Sequence, residues 1–174
     1  MTICVISQCT KRKLKASAPV RADQLYTGQW HKYVMAGVEA SGADLYIVSA
    51  KHGLVPADAM LMPYERTFQG MGVRRIEVEG IKLGVNRDIR QLLEKPYELF
   101  VFAMSKDYLR ACSLPRSGFG GKAMVFTADP SLVPPVFKVI KVGNDAATLR
   151  RLGCNKISAG ARAVELFLKD RVVS

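Results

Sequence analysis

No stretch of this chain has the length of apolar sequence that a bilayer span demands. The start, Met1-Thr2-Ile3-Cys4-Val5-Ile6, is apolar at once and lacks the basic region that opens a secretory signal. The reading is therefore of a cytoplasmic protein with no membrane partner. Cysteine is sparse: Cys4, Cys9, Cys112 and Cys154 form no CxxC pair. That argues against a zinc site and, in a cytosolic chain, against disulfides, and it assigns Cys4 and Cys154 to the core. Histidine is scarcer still, with His31 and His52 alone. No metal and no cofactor are expected. Repeats, low-complexity segments and linkers are absent as well, so the 174 residues read as one domain, large enough for a substantial core.

Acidic residues are also short. Lys and Arg number 26 against 15 Asp and Glu, a formal charge of +11. With 49% hydrophobic and 24% charged residues the chain is globular rather than disordered, so the excess marks a surface suited to a polyanion, most often nucleic acid. Charge alone separates neither DNA from RNA nor an enzyme from a binder.

Along the chain, Thr2 to Gln8 reads as a buried first strand. A polar, basic loop follows, Cys9-Thr10-Lys11-Arg12-Lys13-Leu14-Lys15, and then residues 16–28 without clear periodicity. Trp30, Tyr33, Val34, Gly37 and Val38 recur at helical spacing, which predicts a helix over Gln29 to Ala40 stopped by Ser41-Gly42. Leu45 to Ser49 is the second strand. Lys51 to Gly72 is a long connection, of a kind uncommon unless functional. Ile81, Val85, Ile89 and Leu92 share one face of a helix from about Arg75 to Leu93. Glu98 to Met104 is the third strand, with a short helix from Ser105 to Cys112. Ala123 to Thr127 and Val136 to Val142 read as further strands. Asp145 to Leu152 and the segment after Ser158 read as helices, the last with Ala163, Val164, Phe167 and Leu168 inward. Between them, Pro115-Arg116-Ser117-Gly118-Phe119-Gly120-Gly121-Lys122 is a basic loop without the spacing or the Ser/Thr of a Walker loop.

Strands alternating with helices predict an α/β fold: three layers, Rossmann-like, with a largely parallel sheet and helices on both faces. Ligands in such folds sit outside the carboxyl ends of the strands. The stretch Ser49-Ala50-Lys51-His52-Gly53-Leu54-Val55-Pro56 places a cation and the residue that titrates nearest neutrality at such an end. Cys9, Lys11, Arg12 and Lys13 follow the first strand, and Ser105, Lys106, Asp107 and Tyr108 follow the third. These three loops are expected to gather on one edge, with Cys9, Lys51 and Ser105 at adjacent strand ends.

The set Cys9-Thr10-Lys11-Arg12-Lys13, Leu25-Tyr26-Thr27-Gly28, Ser49-Ala50-Lys51-His52-Gly53-Leu54 and Pro63-Tyr64-Glu65-Arg66-Thr67 resembles a family of small proteins common in bacteria and their phages. That family is similar to the YaaA peroxide-stress proteins, which carry Tyr-Thr-Gly, Ser-Gly-x-Tyr-Gly and Pro-Tyr elements in the same order. It also resembles the uracil-DNA-glycosylase-like domain of archaeosine-type tRNA-guanine transglycosylases, with its Ser-x-Lys-Tyr-Gly element after a strand. The resemblance covers roughly the first 70 residues and implies a uracil-DNA-glycosylase-like fold and an association with DNA or modified bases. The Gly-Gln-Asp-Pro-Tyr element of true uracil-DNA glycosylases is missing.

Two classes of function follow. The first is an enzyme that hydrolyses the N-glycosidic bond of a nucleobase, which must leave the stack to react. His52 or Lys51 would donate to the departing base, and Asp58 or Glu65 would orient water. Cys9, Tyr26, Ser49, Gly53, Tyr64 and Ser105 would form the pocket, with Tyr26 or Tyr64 stacking on the base. Lys11, Arg12, Lys13, Lys106, Arg116 and Lys122 would hold phosphates. The second is a DNA-binding or DNA-protecting protein without catalysis. A third possibility is an enzyme on free nucleotides, with RNA or a nucleotide in place of DNA.

Overall fold

In the computed structural model residues 1–117 and 122–173 are described. Five parallel strands form the body of one sheet: β1 (Ile3–Gln8), β3 (Asp44–Ser49), β6 (Leu99–Ala103), β7 (Lys122–Thr127) and β8 (Lys138–Lys141). A sixth strand, β4 (Gly53–Pro56), runs antiparallel to β3 at the far edge, giving the order β4-β3-β1-β6-β7-β8. β2 (Val20–Arg21) and β5 (Met60–Leu61) pair separately as a two-residue ribbon.

Every residue of β1 and of β6 is buried. Near-continuous apolar runs such as Ile3-Cys4-Val5-Ile6 and Leu99-Phe100-Val101-Phe102 suit strands covered on both faces. The cover comes from two helical layers. α2 (Gln29–Ser41) and α7 (Ala159–Val173) pack against each other on one side, with the short α6 (Ala146–Leu152) against α7. α3 (Val73–Lys82), α4 (Val85–Leu93) and α5 (Lys106–Cys112) form the other layer. The predicted three-layer, Rossmann-like α/β architecture is thus present. Trp30 locks α2 down through its indole N–H, which donates to Ser7 Oγ at 3.2 Å. No helix among the described residues is long and apolar enough to cross a membrane.

The register sets the functional edge. Gln8 lies opposite Val48, and Ser7 lies opposite Ala103. Cys9, Lys51 and Ser105 therefore leave three adjacent parallel strands at the same edge, as the alternating pattern predicts. Counting parallel strands only, the order is second-first-third-fourth-fifth, so the chain reverses direction across the sheet between β1 and β6. Ligands in doubly wound sheets sit in the crevice at that reversal.

Several expectations are corrected. Residues 16–28, which show no clear periodicity in sequence, hold β2 and the four-residue α1 (Ala22–Leu25). The connection from Lys51 to Gly72 begins as the β3–β4 hairpin and includes β5, because Gly53 takes φ 74° and lets the chain fold back on β3. The helix expected from Arg75 to Leu93 is two helices, α3 and α4, broken at Gly84 with φ 68°. Ile81, placed with Val85 and Ile89 on one inward face, is 74% exposed, since the break rotates α3 relative to α4. Cys4 is buried, but Cys154 is only half-buried. The middle of the basic loop, residues 118–121, lies outside the described residues.

α3 and α5 meet at Gly80, where a Cβ would collide with the Ala111 carbonyl. Backbone on both sides of this contact leaves no flexible side chain to give way. Gly80→Ala should therefore destabilise the fold by about 1–3 kcal/mol, the usual range for overpacking. Urea unfolding followed by circular dichroism measures it, and an unchanged midpoint would rule out so close an approach.

Candidate functional site

Two short segments build the site against the end of β1. Residues 12–14 run antiparallel to residues 25–27: Leu14 N–H donates to Leu25 O at 2.7 Å and Thr27 N–H to Arg12 O at 3.1 Å, around the bridge between Lys13 and Tyr26. Thr10 packs on Gly28, where any Cβ would come within 2.8 Å of it, so the Cys-Thr-Lys and Tyr-Thr-Gly elements are two halves of one contact. The hairpin loop Ala50-Lys51-His52 is held by Ser49, whose Oγ accepts from the backbone N–H of Lys51 at 3.2 Å and of His52 at 3.0 Å.

Those two bonds use both acceptor sites of the Ser49 hydroxyl, so its proton goes to Tyr64 Oη at 2.7 Å. Tyr64 in turn donates to Tyr26 Oη at 2.9 Å. A second chain runs alongside. The Thr67 hydroxyl, 3.2 Å away, donates to Tyr108 Oη, which donates to Cys9 Sγ at 2.9 Å. Tyr26, Tyr64, Tyr108 and Lys13 are all within electrostatic reach of the Cys9 sulfur. Burial pushes the Tyr26 phenol up to about 12 and raises Tyr64 and Tyr108 further, so all three keep their protons. The three phenols are thus neutral and hydrogen-bonded, and breaking their network is expensive because each buried hydroxyl left alone costs about 1–3 kcal/mol.

Next to this network, and joined to it through Lys13 over the Tyr64 ring and Thr67 at Tyr108, opens a cleft of about 450 Å³ lined by Lys11, Lys13, Glu65, Arg66, Thr67, Met71 and Arg75. Among the described residues Glu65 is its one carboxylate, with four cations around it. Arg66 is engaged by Glu79, which also faces Lys82 at 3.6 Å. Lys13 sits 4.4 Å over the Tyr64 ring, and Lys51 lies 5.5 Å from the same ring. His52 meets Tyr64 edge-on with centroids 5.3 Å apart. Loss of water against Tyr64, and then the Lys51 ammonium, lower the His52 pKa and favour the neutral imidazole. Burial likewise lowers the Lys13 pKa.

Of the residues singled out in the sequence, Lys11, Lys13 and Glu65 line the cleft. Cys9, Tyr26, Ser49 and Tyr64 form the buried floor. Lys51 and His52 are exposed around Tyr64, beside the cleft and outside its lining. Gly53 is turned into the hairpin, where a Cβ would come 2.8 Å from Leu83 O. Ser105 caps the end of β6, its N–H donating to Gln8 Oε1 at 2.7 Å across the reversal point. Arg12 is exposed and contributes its carbonyl, and Lys106 is exposed in the first turn of α5. Three residues stand apart. Asp58 is exposed in the β4–β5 turn, in reach of Arg21 rather than in the cleft lining. Lys122 opens β7 opposite Leu99, at the amino-terminal edge of the sheet, and Arg116 lies in the connection leading there. The connection from β6 through α5 to β7 carries the chain from one edge to the other, and neither residue lines the cleft.

The list drawn from sequence omitted Arg66, Thr67, Met71, Arg75, Gln8 and Tyr108. The Pro63-to-Thr67 motif signalled the first two, and Tyr108 followed the third strand end. Arg75 carried no signal beyond its place in an amphipathic helix. Among the described residues no three His, Cys, Asp or Glu side chains gather as a metal site would require.

His31 props this floor from behind. It is 2% exposed, donates from Nε2 to Asp23 O at 2.7 Å and packs edge-on against Tyr26. Among the described residues its Nδ1 has no partner. Burial lowers its pKa, so the folded protein binds fewer protons than the unfolded chain. Its contribution is complete above about pH 6.5, the ordinary histidine value, and is lost as pH falls through the depressed folded value. The loss is at most about 1.4 kcal/mol per pH unit for one proton. His31→Gln, whose amide still donates to Asp23, should flatten this acid-side decline between about pH 6.5 and 5, above the range where carboxylates titrate. Denaturant melts across that range test it, and an undiminished decline in the variant would assign it elsewhere.

The sequence model of a family of unknown function, DUF6884, matches residues 3–119, which span β1 to the end of α5 and contain every residue of the cleft and its floor. No curated protein matches the chain.

Proposed function

The chain belongs to the DUF6884 family, whose function is unknown, and we propose that it is a DNA-associated enzyme that hydrolyses the N-glycosidic bond of a nucleobase. The observation that carries this reading is the Glu65 carboxylate in a cleft that Lys11, Lys13, Arg66 and Arg75 line together with Thr67 and Met71. Cations draw in the sugar-phosphate backbone, and a carboxylate among them has two uses: it stabilises the cationic sugar that develops and takes a proton from water. The motif likeness to uracil-DNA-glycosylase-like domains points the same way. The four free cysteines suit work in a reducing, cytoplasmic setting.

In this mechanism the target nucleotide leaves the stack and enters the cleft. The bond between C1′ and the base nitrogen breaks, and its electron pair goes to the base. Water oxygen bonds to C1′ and yields a proton to Glu65. The departing base accepts a proton from Lys51 or a hydrogen bond from the neutral His52 imidazole, the pair poised around Tyr64. The products are a free base and an abasic sugar.

The cleft volume of about 450 Å³ also falls in the range of small-molecule sites, which favours, as a second reading, the same hydrolysis on a free nucleotide. Incubation with DNA carrying a panel of modified bases, and with mononucleotides, separates the two by which releases free base. Glu65→Gln should reduce release by about 100-fold or more, a usual scale for losing a general base, while DNA affinity holds or rises as a negative charge is removed. Full activity in Glu65→Gln would refute the role given to Glu65. Tight DNA binding with no base released from any substrate would leave a non-catalytic binder.

A further inference from the structure

The basic run after β1 reads in sequence as three equivalent phosphate ligands, yet its members differ sharply in the fold. We propose that Lys13 is a positioning residue that ties the two walls of the cleft together, leaving Lys11 and Arg75 as the cations free to take a phosphate; this rests on reading the cleft as a nucleic-acid site.

An ammonium has three N–H donors and no more. Lys13 Nζ lies 3.0 Å from Thr10 O, 3.2 Å from Arg66 O and 3.5 Å from Lys11 O. All three donors are directed at backbone carbonyls, two in its own loop and one 53 residues away in the opposite wall. The same ammonium lies over the Tyr64 face, which adds cation–π attraction to the segment that carries Glu65. Its backbone cannot shift to follow a ligand, because it is bridged to Tyr26. A phosphate oxygen would have to displace a carbonyl already bonded in a half-buried position.

Lys11 and Arg75 differ. Both are exposed and line the cleft, and neither has a side-chain ion pair among the described residues. The fourth cation, Arg66, is held by Glu79. The phosphate thus has two free partners, one from the β1 loop and one from α3, on a frame whose width Lys13 sets.

The experiment compares Lys13→Met, Lys11→Met and Arg75→Met in the full chain. Amide hydrogen exchange of residues 64–67, without any nucleic acid, reads the tie directly. Lys13→Met should speed exchange there by about tenfold or more, as local opening does, while Lys11→Met leaves it unchanged. Binding to a DNA oligonucleotide across a salt series reads the phosphate contacts. Lys11→Met and Arg75→Met should each reduce the slope of log affinity against log salt by about one unit, and Lys13→Met should leave it unchanged. If Lys13→Met fails to fold, Lys13→Arg replaces it: the charge is kept, but a planar fork does not reach three carbonyls, so exchange should still rise. Unchanged exchange in the Lys13 variant, or a slope loss equal to that of Lys11→Met, overturns the tie. If exchange rises but no variant alters the slope, the tie stands and the nucleic-acid reading falls.

Discussion

The structure depends on the burial of β1 on both faces at the centre of a parallel sheet. A strand so placed needs parallel neighbours on each side and a helical layer above and below. β3 and β6 supply the neighbours, and α2 with α7 and α3 to α5 supply the layers. Parallel pairing then leaves no choice about the loops: those following β1, β3 and β6 must emerge at one edge. Gln8 closes the crevice between β1 and β6 from below by accepting the Ser105 N–H. The cleft opens above, over the loop from β1.

The same edge carries an uneven division of polarity. Its floor is polar but neutral, with the hydroxyls of Ser49, Tyr64, Tyr26, Thr67 and Tyr108 joined in two directed chains. Buried hydroxyl chains of this kind strengthen one another in a low-dielectric interior and hold their side chains in place. The rim is charged and solvated, and exposed cations there act through a field that salt screens within about 10 Å. At the opposite edge the acids are occupied: Asp44 accepts from Tyr97 Oη at 2.6 Å, and Glu98 binds the N-terminal segment. At the functional edge, by contrast, Lys11 and Arg75 are exposed and form no ion pair among the described residues.

The amino-acid sequence by itself determined the alternation of strands and helices, the central position of β1 and the edge at which Cys9, Lys51 and Ser105 emerge. These follow from periodicity and apolar run length, which are local and additive along the chain. The grouping of the Cys-Thr-Lys, Tyr-Thr-Gly, Ser-Ala-Lys-His-Gly and Pro-Tyr-Glu-Arg-Thr elements came from their resemblance to a family pattern, not from periodicity. Only the tertiary structure decided their roles. Gly28 and Gly53 turned out to be packing and turn positions, Lys13 became a tie with no free donor, and Tyr26 and Tyr64 became floor. Arg116 and Lys122, equal in sequence to the other cations, went to the far edge because a crossover reverses the chain between them and the site. Arg75 and Tyr108 joined the cleft and its floor from elements remote in sequence. The physical reason is that a side chain's chemistry is set by which donors, acceptors and charges surround it, and those come from segments tens of residues apart that meet only when the sheet and its layers close.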